Sequence, residues 1–223
     1  LGVNALGANT TADNNTAVGY AALDANTTGD LNTAIGVNAL GASTTADRNV
    51  AVGKDALAAY SADGDQYTVA VGFNAMGATT TGGNNTAVGG SALGTNTTGG
   101  QNTALGYFAL YSCTTASGNT AVGKSALYAC TGGNNTAVGS ESSDAVTSGA
   151  QNTAVGRYTL TNTTTGDDNS AFGYNALADN VSGGQNAAFG RRALKTNTAS
   201  HNAAFGYYAL TSNTTGTQNV AVG

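Results

Sequence analysis

Polar and apolar positions along this chain follow one order around a recurring glycine. Residues 15–23 read NTAVGYAAL, residues 32–40 read NTAIGVNAL and residues 102–110 read NTALGYFAL. The glycine returns at Gly2, Gly19, Gly36, Gly53, Gly72, Gly89, Gly106, Gly123, Gly139, Gly156, Gly173, Gly190, Gly206 and Gly223, at intervals of 17 residues with two of 16 and one of 19. Four residues before it stands Asn15, Asn32, Asn49, Asn85, Asn102, Asn119, Asn135, Asn152, Asn169, Asn186, Asn202 or Asn219, with Thr68 the exception. Then come Thr or Val in most copies, Ala in every copy, and a bulky residue such as Val18, Ile35, Leu105 or Phe172. This alternation is the period-2 pattern of a short strand. It places the Thr/Val and bulky slots on one face and Ala alone on the other.

Three and four residues after the glycine come Ala and Leu, as in Ala22–Leu23 and Ala176–Leu177, with Met76 once in place of Leu. A second short strand or bend is expected to carry them. A polar turn such as NTTG at 26–29 follows, built from residues that accept turn geometry. No 3.6-residue apolar stripe or heptad is present, and Asn, Thr and Gly are weak helix formers. A fixed short period throughout the chain means a repeat array, here residues 1–223 as one unit. The fold class expected is all-β: a parallel β-solenoid of about thirteen 17-residue coils. At about 4.8 Å per coil it makes a rod roughly 60 Å long. Each slot then stacks on its own copy. The bulky slot and Leu are expected to form the core, and the asparagines a ladder bonded amide to amide.

Composition narrows the function classes. Charged residues are 9% of the chain and the net charge is −5, with no basic run, which argues against a nucleic-acid binder. No apolar stretch reaches the length of a membrane-spanning helix, so membrane insertion by this segment is not expected. The chain starts and stops inside a repeat and is expected to be a piece of a longer protein without terminal caps.

The phrase Asn-x-x-Ala-bulky-Gly, in NVAVG at 49–53 and 219–223, resembles the coil motif of YadA-like trimeric autotransporter adhesin heads. NTAVGxxAL followed by NTTG looks like repeats of phage tail fibres. The resemblance covers the whole chain, with a coil longer than the adhesin family's. It implies a left-handed β-roll, a homotrimer, and an alanine face at which neighbouring chains approach. It further implies an extracellular setting, in a virion fibre or on a bacterial cell surface.

Candidate chemistry is sparse. Cys113 and Cys130 occupy the same slot in successive coils. Their predicted Cα separation admits a disulfide, while their parallel register sets the Cβ atoms far apart for one. Either they bridge or each fills a small slot. His201 sits in a polar turn with no nucleophile beside it. Asp63 and Asp65 lie in the insertion of the long coil; calcium needs about six to eight oxygens, so a solvated bulge is favoured over an acidic bulge holding a cation. Gly82–Asn85 lacks the Lys and helix of a phosphate loop. No cofactor, metal or catalytic residue is expected, and an enzyme is not.

The two slots after the glycine hold five of the seven basic residues and eight of the fifteen aromatics. Stacked, they form a candidate surface-binding stripe: Tyr107, Phe108, Arg157, Tyr158, Tyr174, Arg191, Arg192, Tyr207 and Tyr208. Aromatics beside cations suit a sugar or protein surface, though an ordinary solvated edge or part of an interchain seam has the same composition. In coil 140–155, Ser142 and Ser143 replace Ala and Leu and should weaken the core. The function expected is a non-catalytic structural rod of an extracellular fibre or adhesin that projects or aids binding to a host glycan or protein. The alternative is a single-chain solenoid binding glycan or ice along one face. The ice reading is disfavoured because the threonines are adjacent, as in Thr27–Thr28, and so point to opposite faces.

Overall fold

A computed structural model describes residues 2–223. The chain is an all-β parallel β-solenoid of about twelve turns, with no helix among the described residues. It divides into two compact units, Leu1–Thr115 and Ala116–Gly223. The first contains β1 (Thr16–Val18), β2 (Thr33–Ile35), β3 (Ala46–Asp47), β4 (Val50–Val52), β5 (Gly64–Asp65), β6 (Val69–Val71), β7 (Thr86–Val88) and β8 (Thr103–Leu105). The second contains β9 (Thr120–Val122), β10 (Thr136–Val138), β11 (Thr153–Val155), β12 (Ser170–Phe172), β13 (Ala187–Phe189), β14 (Ala203–Phe205) and β15 (Val220–Val222).

Within each unit every strand from the phrase before the glycine pairs in parallel and in register with its copy one coil on. Ala17 lies against Ala34, Ala34 against Ala51 and Ala188 against Ala204. The 19-residue coil is absorbed without a slip, because Val50, Ala51 and Val52 still meet Val69, Ala70 and Val71. Its extra residues are looped out at the turn on either side of β5, which runs parallel to β3 with Asp47 against Asp65.

A coil therefore has one regular strand of three residues. Of the short strand or bend expected for the Ala–Leu pair, the structure has a turn in every coil, and the backbone angles supply the reason. The second and fourth residues after the glycine are left-handed, as at Asn38 (φ 58°) and Leu40 (φ 50°), and so is the residue before the ladder Asn, as at Arg48 (φ 58°). Bonds between coils nevertheless continue through these turns: the Leu23 N–H donates to Ala39 O at 3.0 Å and the Thr27 N–H to Thr44 O at 2.9 Å. The left-handed region excludes β-branched side chains most strongly. This explains why Leu, Met or once Ser143, never Val or Ile, fills the fourth slot, whereas Val and Ile are free to fill the strand.

The glycine itself has φ near +138°, as at Gly72 and Gly89, a conformation open to glycine alone. A Cβ on Gly89 would also stand 2.5 Å from the carbonyl oxygen of Gly106 in the next coil. Both backbone and space demand glycine, which accounts for the invariant position.

The interior differs from expectation in one respect. Ala, not the bulky residue, turns inward: Ala34, Ala51, Ala87, Ala137, Ala171 and Ala188 are wholly buried. The core of each unit is this alanine column, the Ala–Leu pairs and the asparagines. The bulky slot faces outward, with Ile35, Leu105, Val138, Phe189 and Phe205 between 37% and 46% exposed. The reason is volume. A coil with one three-residue strand encloses so little space that Leu from the turn fills it, and only a methyl group fits opposite. The alanine face is therefore internal and unavailable to a neighbouring chain, contrary to the role the resemblance implied.

Substitution of Leu93, wholly buried at φ 51°, tests this account of the turn. Leu93→Met should cost less than about 1.5 kcal/mol, as volume-conserving core exchanges do. Leu93→Ile, of equal volume, should cost about 1–3 kcal/mol more because of its left-handed backbone. Chemical denaturation of the two variants measures the difference.

Candidate functional site

The two slots after the glycine stand at a corner where the chain leaves the strand. The first slot is exposed, as at Arg157, Tyr174, Arg191 and Tyr207, and the second is half-buried, as at Tyr158, Arg192 and Tyr208. The second-slot residues have φ of 58°, 59° and 62°.

In the first unit the stripe residues are Tyr107 and Phe108, whose ring centroids are 4.0 Å apart, with Tyr111 edge-on to Phe108 at 4.8 Å. In the second unit the remaining seven residues form a connected group. Arg157 Nη2 donates to Tyr158 Oη at 2.6 Å while its guanidinium lies 4.4 Å from the Tyr158 ring. Tyr158 meets Tyr174 edge-on at 6.0 Å. The Arg191 guanidinium lies 5.6 Å from the rings of both Tyr174 and Tyr207, and Arg191 Nη1 donates to Tyr207 Oη at 3.0 Å. Arg192 donates to Tyr208 Oη and lies 5.3 Å from that ring. Such cation–π contacts hold a guanidinium flat while leaving donors at its edge.

The asparagine column is inside the coil, with Asn32, Asn49, Asn85, Asn102, Asn119, Asn135, Asn152, Asn169, Asn186 and Asn202 buried. Each links three pieces of backbone. Asn152 Oδ1 accepts the Asn169 N–H at 3.0 Å, and Asn152 Nδ2 donates to Gly166 O at 2.8 Å. Amide-to-amide bonds run along the column, from Asn169 Nδ2 to Asn152 Oδ1 and from Asn186 Nδ2 to Asn169 Oδ1, both at 3.1 Å. Asn15 and Asn219, at the ends of the column, are less buried and bond in the same way: Asn15 Oδ1 accepts the Asn32 N–H at 2.8 Å, and the Asn219 N–H donates to Asn202 Oδ1 at 3.0 Å. At Thr68 the amide is missing, and the wholly buried Tyr60 occupies the neighbouring inner slot, its hydroxyl pushed up in pKa by burial.

Cys113 and Cys130 are buried side chains, each a thiol rather than half of a cystine. The Cys130 thiol donates to Gly132 O at 3.0 Å, and burial pushes its pKa up to about 11. A thiol so protonated is a weak nucleophile. His201 is an exposed turn residue in the left-handed region. Asp63 accepts a hydrogen bond from Thr45, and Asp65 is ion-paired with Arg48, so the two carboxylates face different partners.

The coil after Gly139 is the polar one. Ser142 and Ser143 are buried where Ala and Leu stand elsewhere. Ser143 Oγ and Asp144 Oδ1 are buried without a hydrogen-bond partner, as are Thr161 Oγ1 and Thr163 Oγ1 one coil on. Burial, and then the neighbouring Glu141, raise the Asp144 carboxyl above its ordinary range.

One feature was missed in the sequence: the outward column of Val18, Ile35, Leu105, Val138, Phe189 and Phe205. In the second unit it becomes an aromatic stack, Phe172 to Phe189 at 4.7 Å and Phe189 to Phe205 at 5.1 Å, with rings 8° and 9° from parallel. Invariant Ala beside a slot of variable bulk was the available signal, since a tightly enclosed position admits one size and an open one several.

No protein-family model matches the chain, and no curated protein or solved structure is significantly similar to it. The resemblance to adhesin heads and tail fibres stands on the sequence motif alone.

Asp144 yields a pH prediction. Its carboxyl is raised in the fold, so its penalty is absent below the ordinary value of 3.8. The penalty grows as pH rises through the raised pKa and is complete at neutral pH. Asp144→Asn should therefore melt at a higher temperature than the parent at pH 7, with the difference closing below pH 3.8. Circular dichroism melts across that range measure it.

Proposed function

We propose that the chain is a non-catalytic structural segment of an extracellular fibre or surface adhesin, assembling as a homotrimer through the outward column of bulky residues. One observation carries the reading: a line of Val, Ile, Leu and Phe, repeated coil after coil and half exposed, runs along the strands of each unit. A continuous apolar line of this kind marks an association surface more often than an ordinary solvated one. The occupant that matches it is a second and third copy of the same chain, because copies of a repeat present the same period and stack in register. The seam is thus assigned to the bulky face rather than to the alanine face.

The internal design supports a structural role. Each coil bonds to its neighbours through backbone and asparagine, and mechanical resistance in such arrays comes from nearest-neighbour interfaces. The motif resemblance to adhesin heads and tail fibres supports the extracellular setting. A fibre segment of this kind would hold a binding surface away from a cell or virion.

Native mass spectrometry of the whole chain tests the assembly. A particle of three times the 21.7 kDa chain is expected. Ile35→Lys with Leu105→Lys should return it to a monomer, because charges on the seam repel and lose water in the assembled state. Both side chains point outward, so the melting temperature of the dissociated coil should change little. A monomeric parent would sink the trimer and favour a single-chain solenoid.

A further inference from the structure

We infer that the arginine–tyrosine corner of the second unit binds a linear anionic polysaccharide in which every second sugar carries a carboxylate.

The argument begins with the cations. The chain has seven Lys and Arg. Four lie outside this cluster and each has a carboxylate partner: Arg48 with Asp65, Lys54 with Asp55, Lys124 with Glu141 at 3.7 Å, and Lys195 with Asp179 at 2.6 Å. The other three are Arg157, Arg191 and Arg192, and among the described residues none is paired with an acid. In a chain of net charge −5, the cations left unneutralised are gathered at one corner.

Tyrosines hold them in place. Each arginine gives one hydrogen bond to a tyrosine hydroxyl, which leaves most of the five donors of the exposed Arg157 and Arg191 for a ligand, whereas Arg192 is half-buried with its Nε enclosed. Each hydroxyl, having accepted that bond, retains its own proton to donate. Arg191 is fixed between the rings of Tyr174 and Tyr207. The side-chain entropy that a free arginine loses on binding is therefore already lost, and a planar fork is presented to a carboxylate. Exposed tyrosine faces beside it stack on the apolar face of a sugar ring.

Spacing selects the ligand. In the first slot after the glycine, cationic and aromatic residues alternate from coil to coil: Arg157, then Tyr174, then Arg191, then Tyr207. Like features recur every second coil, or about 10 Å at the usual spacing of paired strands. That is close to the length of one disaccharide in an extended polysaccharide with acidic and neutral sugars in alternation. A single-stranded nucleic acid carries a phosphate on every unit, a regular charge row that cations confined to every second coil do not match. The inference does not depend on self-association, because the cluster lies after the glycine and not on the strand face.

The whole chain is titrated by calorimetry with an oligosaccharide of alternating glucuronate and N-acetylglucosamine. The controls are a neutral N-acetylglucosamine oligomer of equal length and oligothymidylate. The acidic oligosaccharide should bind, at least about tenfold more tightly than either control. Arg191→Gln and Arg157→Gln should each weaken it by about tenfold with an unchanged melting temperature. Tyr174→Ala should weaken both saccharides, and the acidic one more, since it removes a stacking face and one of the two rings that fix Arg191. Absence of binding, equal affinity for the neutral oligomer, tighter binding of oligothymidylate, or indifference to both arginine substitutions would overturn the inference. None of these outcomes bears on the trimer, which the native mass decides separately.

Discussion

The inner wall of each coil is alanine beside buried asparagine, so a polar group that turns inward needs a partner within its coil or in the coil beside it. The asparagine column answers that demand. One side chain accepts a backbone N–H from the next coil and donates to a carbonyl thirteen or fourteen residues on, as Asn135 does toward Asn152 and Gly149. Loss of such an amide would leave several buried backbone groups without partners, at about 1–3 kcal/mol each. The column therefore sets the register, and the register sets every other ladder: the glycines approach backbone to backbone, the leucines stack, and the outward residues line up.

The same constraint explains where the chain departs from its own pattern. Thr68 lacks the amide, and the large Tyr60 fills the inner slot beside it. The insertion of the long coil is looped out at the turn, where Arg48 and Asp65 pair across it. Ser143 and Asp144 put polar atoms into space that has no partner for them, whereas Ser142 Oγ donates to Ala154 O at 3.3 Å. Local stability should be lowest there, because cooperative opening follows the interface with the fewest satisfied contacts.

Outside the strand, the chain has latitude, and its chemistry gathers in that part. The corner after the glycine must turn left-handed, yet it accepts Asn, Ser, Asp, Tyr or Arg. A repeat scaffold can thus vary the two corner residues without disturbing the ladder. In the second unit this variation yields guanidinium groups clamped by tyrosines, whereas in the first unit Tyr107, Phe108 and Tyr111 make an aromatic group. Binding along one side and assembly along another are physically compatible, because the two surfaces draw on different slots of the same coil.

The sequence alone determined the period, the parallel in-register stacking, the glycine position and the asparagine column, since each is a property of one slot repeated and stacked on itself. The stripe could also be read from it, as residues that share a slot must share a corner. What alternation could not decide was which face of the strand is inside. Thr-Ala-Val has two faces whichever way it is turned, and the larger apolar face is the natural choice for a core. Only the closed coil decided otherwise: a leucine held in a left-handed turn occupies the interior, leaves opposite it the volume of one methyl group, and turns Val, Ile and Phe outward. The clamp of arginine by tyrosine was likewise decided by the tertiary structure. It joins Arg157 to the adjacent Tyr158, and Arg191 and Arg192 to tyrosines one coil on, in orientations that follow from the corner geometry and not from the order of residues.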